Sequence, residues 1–191
     1  MHDSAKRMPI DEVLTILKAV PAAAFEPGEI AKRLEGVAVD HDSLAPYLHF
    51  VKGRYTRNLI FRDETFELLA LCWDEASYSP IHNHSGQDCW FLVQEGQFCL
   101  EGYRAIEGGD CPGPARLEHV DSQHKICPGA LDHRGPLRDI HQVKVSRGNP
   151  RAVSIHVYAK PFDDCLVYDL KNNECRRQPL KYHTVEGRLT A

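Results

Sequence analysis

The spacing of apolar positions changes at about residue 55. Before it, Ile10, Val13, Leu14, Leu17 and Val20 recur at helical intervals over residues 9–20, opening at Pro9 with Asp11 and Glu12 in the first turn, where a helix dipole favours anions. Pro21 and Pro27-Gly28 break this run, after which Ile30, Ala31 and Leu34 predict a second short helix ending near Gly36. Residues 42–50 are read as a third. From Tyr55 onward the pattern is one of short β-rich runs, 57–61, 65–73, 89–94, 97–104, 139–145, 152–158 and 165–170, divided by Gly, Pro and Asp clusters. The stretches 107–114 and 128–138 read as loops, and there is no internal repeat or low-complexity tract. Many short, punctuated strands predict an all-β core, a small antiparallel barrel with the helical first fifty residues packed against it.

A chain of 191 residues with no shift in composition is expected to be one domain, comprising the helical part over about 1–50, the barrel over 55–170 and a C-terminal extension over 171–191. The net charge of -4 and the dispersed basic residues, Arg176-Arg177 apart, argue against a nucleic-acid partner. The N-terminus lacks an apolar signal core, and no stretch approaches the roughly 20 apolar residues that span a bilayer. The expectation is a soluble, cytoplasmic protein without a membrane partner. Seven cysteines, at 72, 89, 99, 111, 127, 165 and 175, show no Cys-x-x-Cys spacing, which disfavours both a disulfide framework and a zinc knuckle. They read as mostly buried thiols in a reducing compartment.

Chemistry concentrates around His82 and His84. Residues two apart in a strand project to the same face, so the two imidazoles can converge on one metal ion. The pair alone is weak, since eleven histidines in such a chain would give roughly 0.6 such spacings by chance. The alternating segment Asp139-Ile140-His141-Gln142-Val143-Lys144-Val145 reads as a strand able to bring a third imidazole to that face; three neutral nitrogens bind a divalent cation and leave positions open for substrate. His133 is the best rival for this third place. On Val153-Ser154-Ile155-His156-Val157-Tyr158, the apolar residues share one face and Ser154, His156 and Tyr158 the other. That polar stripe suits a half-exposed strand, or, turned inward, a hydrogen-bonded relay ending in a phenol.

In order and spacing these residues resemble the cysteine dioxygenases, cupin-fold thiol dioxygenases that use non-haem Fe(II). The resemblance runs from about residue 55 to 165 and is carried by Tyr55-Thr56-Arg57-Asn58-Leu59, Cys72-Trp73, Ile81-His82-Asn83-His84 with Cys89, His141, Ser154-Ile155-His156-Val157-Tyr158 and Pro161-Phe162-Asp163-Asp164-Cys165. It implies a cupin-type, jelly-roll-like barrel with Fe(2+) held by His82, His84 and His141. Arg57, beside Tyr55, would clamp the substrate carboxylate, and Tyr158, held by His156 and Ser154, would be the active-site phenol. The implied reaction is oxidation of L-cysteine by O2 to cysteine sulfinic acid, both oxygen atoms ending on sulfur.

Cys89 stands where mammalian members have the cysteine that cross-links to the active-site tyrosine, so the resemblance implies a Cys89–Tyr158 thioether; the alternative is a buried free thiol. Asp88 replaces a histidine of the mammalian pattern, and Lys160 replaces a second proline before Pro161. A related dioxygenase acting on 3-mercaptopropionate is the nearest rival, although relatives with that preference tend to carry glutamine at the arginine position. A zinc-loaded or ligand-binding cupin is the rival of another class, with Cys89 as a fourth ligand. His119, His124, His2, His41, His49 and His183 are expected to stay outside the site.

Overall fold

The computed structural model describes residues 6–136 and 139–190. Strand β1 (Lys6–Met8) pairs in parallel with β2 (Val37–Val39), bracketing helices α1 (Ile10–Lys18) and α2 (Pro27–Leu34). Helix α1 buries Ile10, Val13 and Leu17, as its spacing predicts. Each such side chain contributes about 1.5–3 kcal/mol on burial, and cutting Leu17 to alanine would cost roughly 2–5 kcal/mol. Pro27-Gly28 belongs to α2 rather than preceding it, because proline's fixed φ suits a first helical position. Gly36, at φ 69, ends that segment in the left-handed region. The third helix is shorter than expected: α3 (His41–Leu44), capped by the Asp40 carboxylate on Ser43 N, gives way to a 3-10 turn over Ala45–Tyr47 where Pro46 intervenes.

The β-rich part contains β3 (Tyr55–Arg62), β4 (Phe66–Asp74), β5 (Ile81–His82), β6 (Cys89–Glu95), β7 (Phe98–Gly108), β8 (Gly113–Ile126), β9 (Leu131–Arg134) and β10 (His141–Val145). They are followed by β11 (Arg151–Ala159), β12 (Asp164–Asp169), β13 (Glu174–Pro179), β14 (Thr184–Val185) and β15 (Arg188–Leu189). Six strands close in the order β10-β5-β12-β13-β8-β7, and a seven-stranded sheet runs β15-β14-β3-β4-β11-β6-β9. This is the all-β, cupin-type architecture implied by the resemblance. No described helix is long and apolar enough to cross a membrane.

Pleating sorts the central sheet into two buried faces. Leu68, Ala70, Trp90, Leu92, Val153, Ile155 and Val157 face outward and are covered by the helices, while Leu69, Leu71, Trp73, Phe91 and Val93 face inward onto Phe98, Leu100, Val143 and Val145. The helices therefore cover the outer face of this sheet, and the inner cavity is walled by residues from 55 onward.

Strand β8 was not expected. Its side chains are largely exposed and its ladder with β7 is interrupted by three irregularities, so no period-2 apolar pattern marks it. The expected loop over 128–138 contains β9, with 137 and 138 outside the described residues. The loop expected over 107–114 narrows to the residues between Gly108 and Gly113.

Candidate metal centre

His82, His84 and His141 meet at one end of the inner cavity, each offering a ring nitrogen within 4.8 Å of the others. Strand alternation alone does not bring them there, since β5 ends at His82. His82 and His141 are direct partners across β5 and β10. His84 lies just past the strand, in a turn pinned by Asn83, whose N–H donates to Leu166 O at 3.1 Å and whose side-chain oxygen accepts from Leu166 N at 2.9 Å. The carboxylate of Asp139 accepts the backbone N–H of His84 at 2.7 Å, and the same oxygen lies 2.8 Å from His84 Nδ1, out of line for a ring hydrogen bond.

The donor set fits a divalent cation. Pro80 O lies 3.0 Å from His82 Nδ1, which assigns the ring proton to that nitrogen and leaves Nε2 as the ligand atom. Burial first, then His84, holds His82 down to about 4; burial and then the other two imidazoles keep His141 well below the ordinary histidine range. Both rings are therefore neutral, as ligation requires. His141 Nδ1 is buried with no hydrogen-bond partner among the described residues, a polar atom that a metal or its coordinated water can satisfy.

The register of the sheet excludes the rival histidine. His133 pairs with Trp90, so it shares the outer face with that ring, 5.3 Å away, and lies 2.8 Å from Asp88 Oδ1. Asp88, the departure from the mammalian pattern, thus anchors His133 away from the cavity. Of the remaining histidines expected to lie outside the site, His119 is exposed on β8 against Glu101, and His49 packs near His183 beyond the cavity mouth.

On β11 the polar stripe faces inward. Trp73 Nε1 donates to Ser154 Oγ at 2.9 Å, Ser154 Oγ lies 3.0 Å from His156 Nε2, and Tyr158 Oη lies 3.1 Å from His156 Nδ1. Because the indole N–H already fills one acceptor position on Ser154, the serine hydroxyl is free to donate to Nε2. Burial, then Arg57, keeps His156 neutral, so one ring nitrogen donates and the other accepts, linking Ser154 to the phenol oxygen. The phenol is pushed well above its ordinary range by burial, so it stays protonated. Trp73 anchors the Ser154 end of this chain, a role that its sequence position beside Cys72 does not reveal.

Arg57 lines the same cavity as the imidazoles. Its guanidinium lies between two rings, 5.6 Å from Tyr158 and 5.7 Å from Tyr182, and Nη2 donates to Glu67 at 3.2 Å. Its Nε–H is buried with no hydrogen-bond partner among the described residues. Tyr55 stacks on Trp73 at 4.7 Å and stands with Arg57 at the join between the cavity and the open groove outside it. Cys89 is 1% exposed and lies opposite Tyr158 in the ladder, its Sγ 3.8 Å from His156 Nδ1; it lies outside the metal-binding group, which among the described residues is the three histidines. A four-ligand zinc site through Cys89 is therefore not what this geometry builds.

Glu67, Tyr182 and Asp139 were not singled out from the sequence. Only Asp139 had a local signal, a carboxylate two residues before His141. Comparison with known proteins places these features in context. The family model described as Cysteine dioxygenase type I matches residues 2–171. The cysteine dioxygenase type 1 of Homo sapiens is 27% identical over 160 residues, 83% of this chain and 78% of that protein. The Danio rerio protein of the same name is 26% identical over 187 residues, 94% of this chain and 88% of that one. Among solved structures, an RmlC-like cupin protein from Desulfovibrio desulfuricans has a TM-score of 0.41 at 18% identity, over 60% of this chain and 91% of that one.

Proposed function

The chain belongs to the cysteine dioxygenase type I family, and from that premise we propose that it oxidises L-cysteine with O2 to cysteine sulfinic acid, with Fe(II) held by His82, His84 and His141. The observation that carries this reading is the convergence on one cavity of three imidazoles and a buried guanidinium whose Nε–H has no partner among the described residues. A buried N–H of that kind costs stability until an acceptor arrives, and a substrate carboxylate is the acceptor that a planar guanidinium matches best.

Bound to the three imidazoles, Fe(II) supplies open coordination positions and the redox chemistry with O2 that no side chain here provides. The side chains bind and orient. Arg57 takes the carboxylate, which directs the thiol and amine end of the substrate toward the histidines across the cavity. Tyr158 stays protonated, is tied to His156, and presents a neutral hydroxyl to the carboxylate or to oxygen developing on sulfur. Phe162, edge-on to Tyr158 at 5.1 Å, and Trp73 keep the wall apolar and limit water at the reacting end. The overall change adds both atoms of O2 to one sulfur and needs no other reductant.

We further propose that Cys89 and Tyr158 become joined. The bond formed runs from Sγ to a ring carbon beside the phenol oxygen; one hydrogen leaves the thiol and one the ring, and O2 takes the two electrons. Support comes from their opposed positions in the ladder and their shared contact with His156.

The test of the main reading is O2 uptake by anaerobically Fe(II)-loaded protein given L-cysteine, with 3-mercaptopropionate in parallel and the sulfinate identified by mass spectrometry. Near one O2 per cysteine sulfinate is expected. Sulfinate from 3-mercaptopropionate alone would move the substrate assignment to that thiol, whose carboxylate Arg57 serves equally. No uptake with either would overturn the reading in favour of a zinc-loaded or binding cupin.

A further inference from the structure

The C-terminal segment reaches back to the carboxylate clamp, although it lies beyond the residues that the family model matches. Strand β14 runs parallel to β3, with Thr184 opposite Asn58. His183 N donates to the carbonyl of Arg57 itself at 2.7 Å, and Thr184 Oγ1 donates to Asn58 Oδ1 at 3.0 Å. This pairing carries Tyr182 over the guanidinium, where its hydroxyl donates to Glu67 Oε2 and accepts from Arg62 Nη1 at 2.6 Å. Arg62 is held in turn by Asp163 at 2.8 Å. Glu67 is fully buried, and its two oxygens are divided: Oε1 takes Arg57 and Oε2 takes Tyr182, with Arg62 3.9 Å away.

That division matters because a buried carboxylate with both oxygens free is itself the best partner for a guanidinium. Left alone, Glu67 would turn both oxygens to Arg57 in a two-bond fork and occupy the edge that a substrate carboxylate needs. We propose that Tyr182 is a positioning and specificity residue: by occupying Glu67 Oε2, it limits Glu67 to one contact with Arg57 and keeps the Nε edge of the guanidinium open for thiols that carry a carboxylate. Arg62 reinforces this by offsetting the charge of Glu67 from the side away from the cavity. This inference rests on the proposed role of Arg57 as the carboxylate clamp.

The test compares L-cysteine with 2-aminoethanethiol, which has the same thiol and amine but no carboxylate. Binding of each is measured anaerobically on Fe(II)-loaded wild type, Tyr182→Phe and Arg62→Gln, and kcat and KM are then measured in air, with metal content and urea midpoint determined for each protein. Tyr182→Phe keeps the ring over Arg57 and removes only the hydroxyl. The expected result is about tenfold weaker L-cysteine binding and a matching rise in KM, the loss of one charge-assisted contact, with little change in kcat, in metal content or in 2-aminoethanethiol binding. Arg62→Gln is expected to move the same ratio in the same direction by a smaller factor. Unchanged L-cysteine affinity in both variants, or equal losses with both thiols, would overturn the inference while leaving the proposed reaction intact. A wild type that neither binds nor oxidises L-cysteine would remove the proposed reaction and this inference with it.

Discussion

Cys89 and Tyr158 are direct partners across the β6–β11 ladder, and both side chains meet the same ring nitrogen, Nδ1 of His156. Opposed side chains in an antiparallel pair stand about 4.5–5.5 Å apart at Cβ, close enough for a bond to form without moving the backbone. Burial holds the Cys89 thiol well above its ordinary range, so it is protonated and inert until an oxidant reaches it. Protein turned over with Fe(II), L-cysteine and O2 should therefore show a species lighter by about two hydrogens, with the linked peptides identified after digestion. Cys89→Ala and Tyr158→Phe should each lack it. Full-mass protein after many turnovers would rule the linkage out.

Replacing Arg57 by glutamine should lower kcat/KM for L-cysteine by roughly ten- to a hundredfold, the range expected for a charge-assisted hydrogen bond of about 1.5–3 kcal/mol. Metal content should not change, because Arg57 is not a member of the three-histidine group. Steady-state kinetics with metal analysis on the same preparation checks both halves of the statement.

His141→Ala should bind metal at least about tenfold more weakly than the wild type, since losing a ligand costs no less than the roughly 10–100-fold lost when only a ligand's hydrogen-bond partner is removed. His133→Ala is the matched control: it should keep its metal and lose only about 1 kcal/mol of stability with its contact to Asp88. Equal metal content in wild type and His141→Ala would exclude His141 as a ligand.

Trp73→Phe removes the N–H that holds Ser154 and frees the serine hydroxyl to rotate away from His156. Turnover should fall with carboxylate and non-carboxylate thiols alike, in contrast to Tyr182→Phe, and stability should drop by about 1–3 kcal/mol from the lost buried partner. Rates with the two thiols and a urea midpoint separate this outcome from a purely structural one.

Alkaline pH should destabilise the fold before most lysines deprotonate. Burial pushes the Cys72 and Cys165 thiols up to about 11. In the unfolded chain a thiol ionises near about 8.5. A folded-state pKa above the unfolded one means that the stabilisation is complete below the unfolded value and is lost as pH rises through about 9 to 11. Tyr182, pushed up to about 12 by burial and by Glu67, acts in the same sense at the top of that window. The urea midpoint should fall between pH 8 and pH 10.5, with a shallower slope in Cys72→Ala; a flat profile would contradict it.

Local pattern was sufficient for the elements whose burial is regular. Helix α1 shows a clean 3.6-residue stripe because it covers a sheet on one side only, and β11 shows strict alternation because its two faces meet different surroundings. Strand β8 left no such trace, since a largely solvated hairpin imposes no apolar period. The same limit applies at the site. His82, His84 and the Ser154-His156-Tyr158 stripe are each legible within a few residues of sequence. The choice of His141 over His133 followed only from resemblance, because local pattern reads 128–138 as a loop and so gives the His133 side chain no face.

The amino-acid sequence by itself determined the change from helix to sheet at residue 55, the paired imidazoles and the polar face of β11, all of which are properties of neighbours within one turn or one pleat. Tertiary structure alone decided which face of each strand looked into the cavity, and so turned His133 outward and His141 inward through the pairing of β6 with β9 and of β5 with β10. It alone also brought Tyr182 onto Glu67, 115 residues away in the chain. Such contacts are set by how sheets close and tails return, and no local period records where a distant segment will lie.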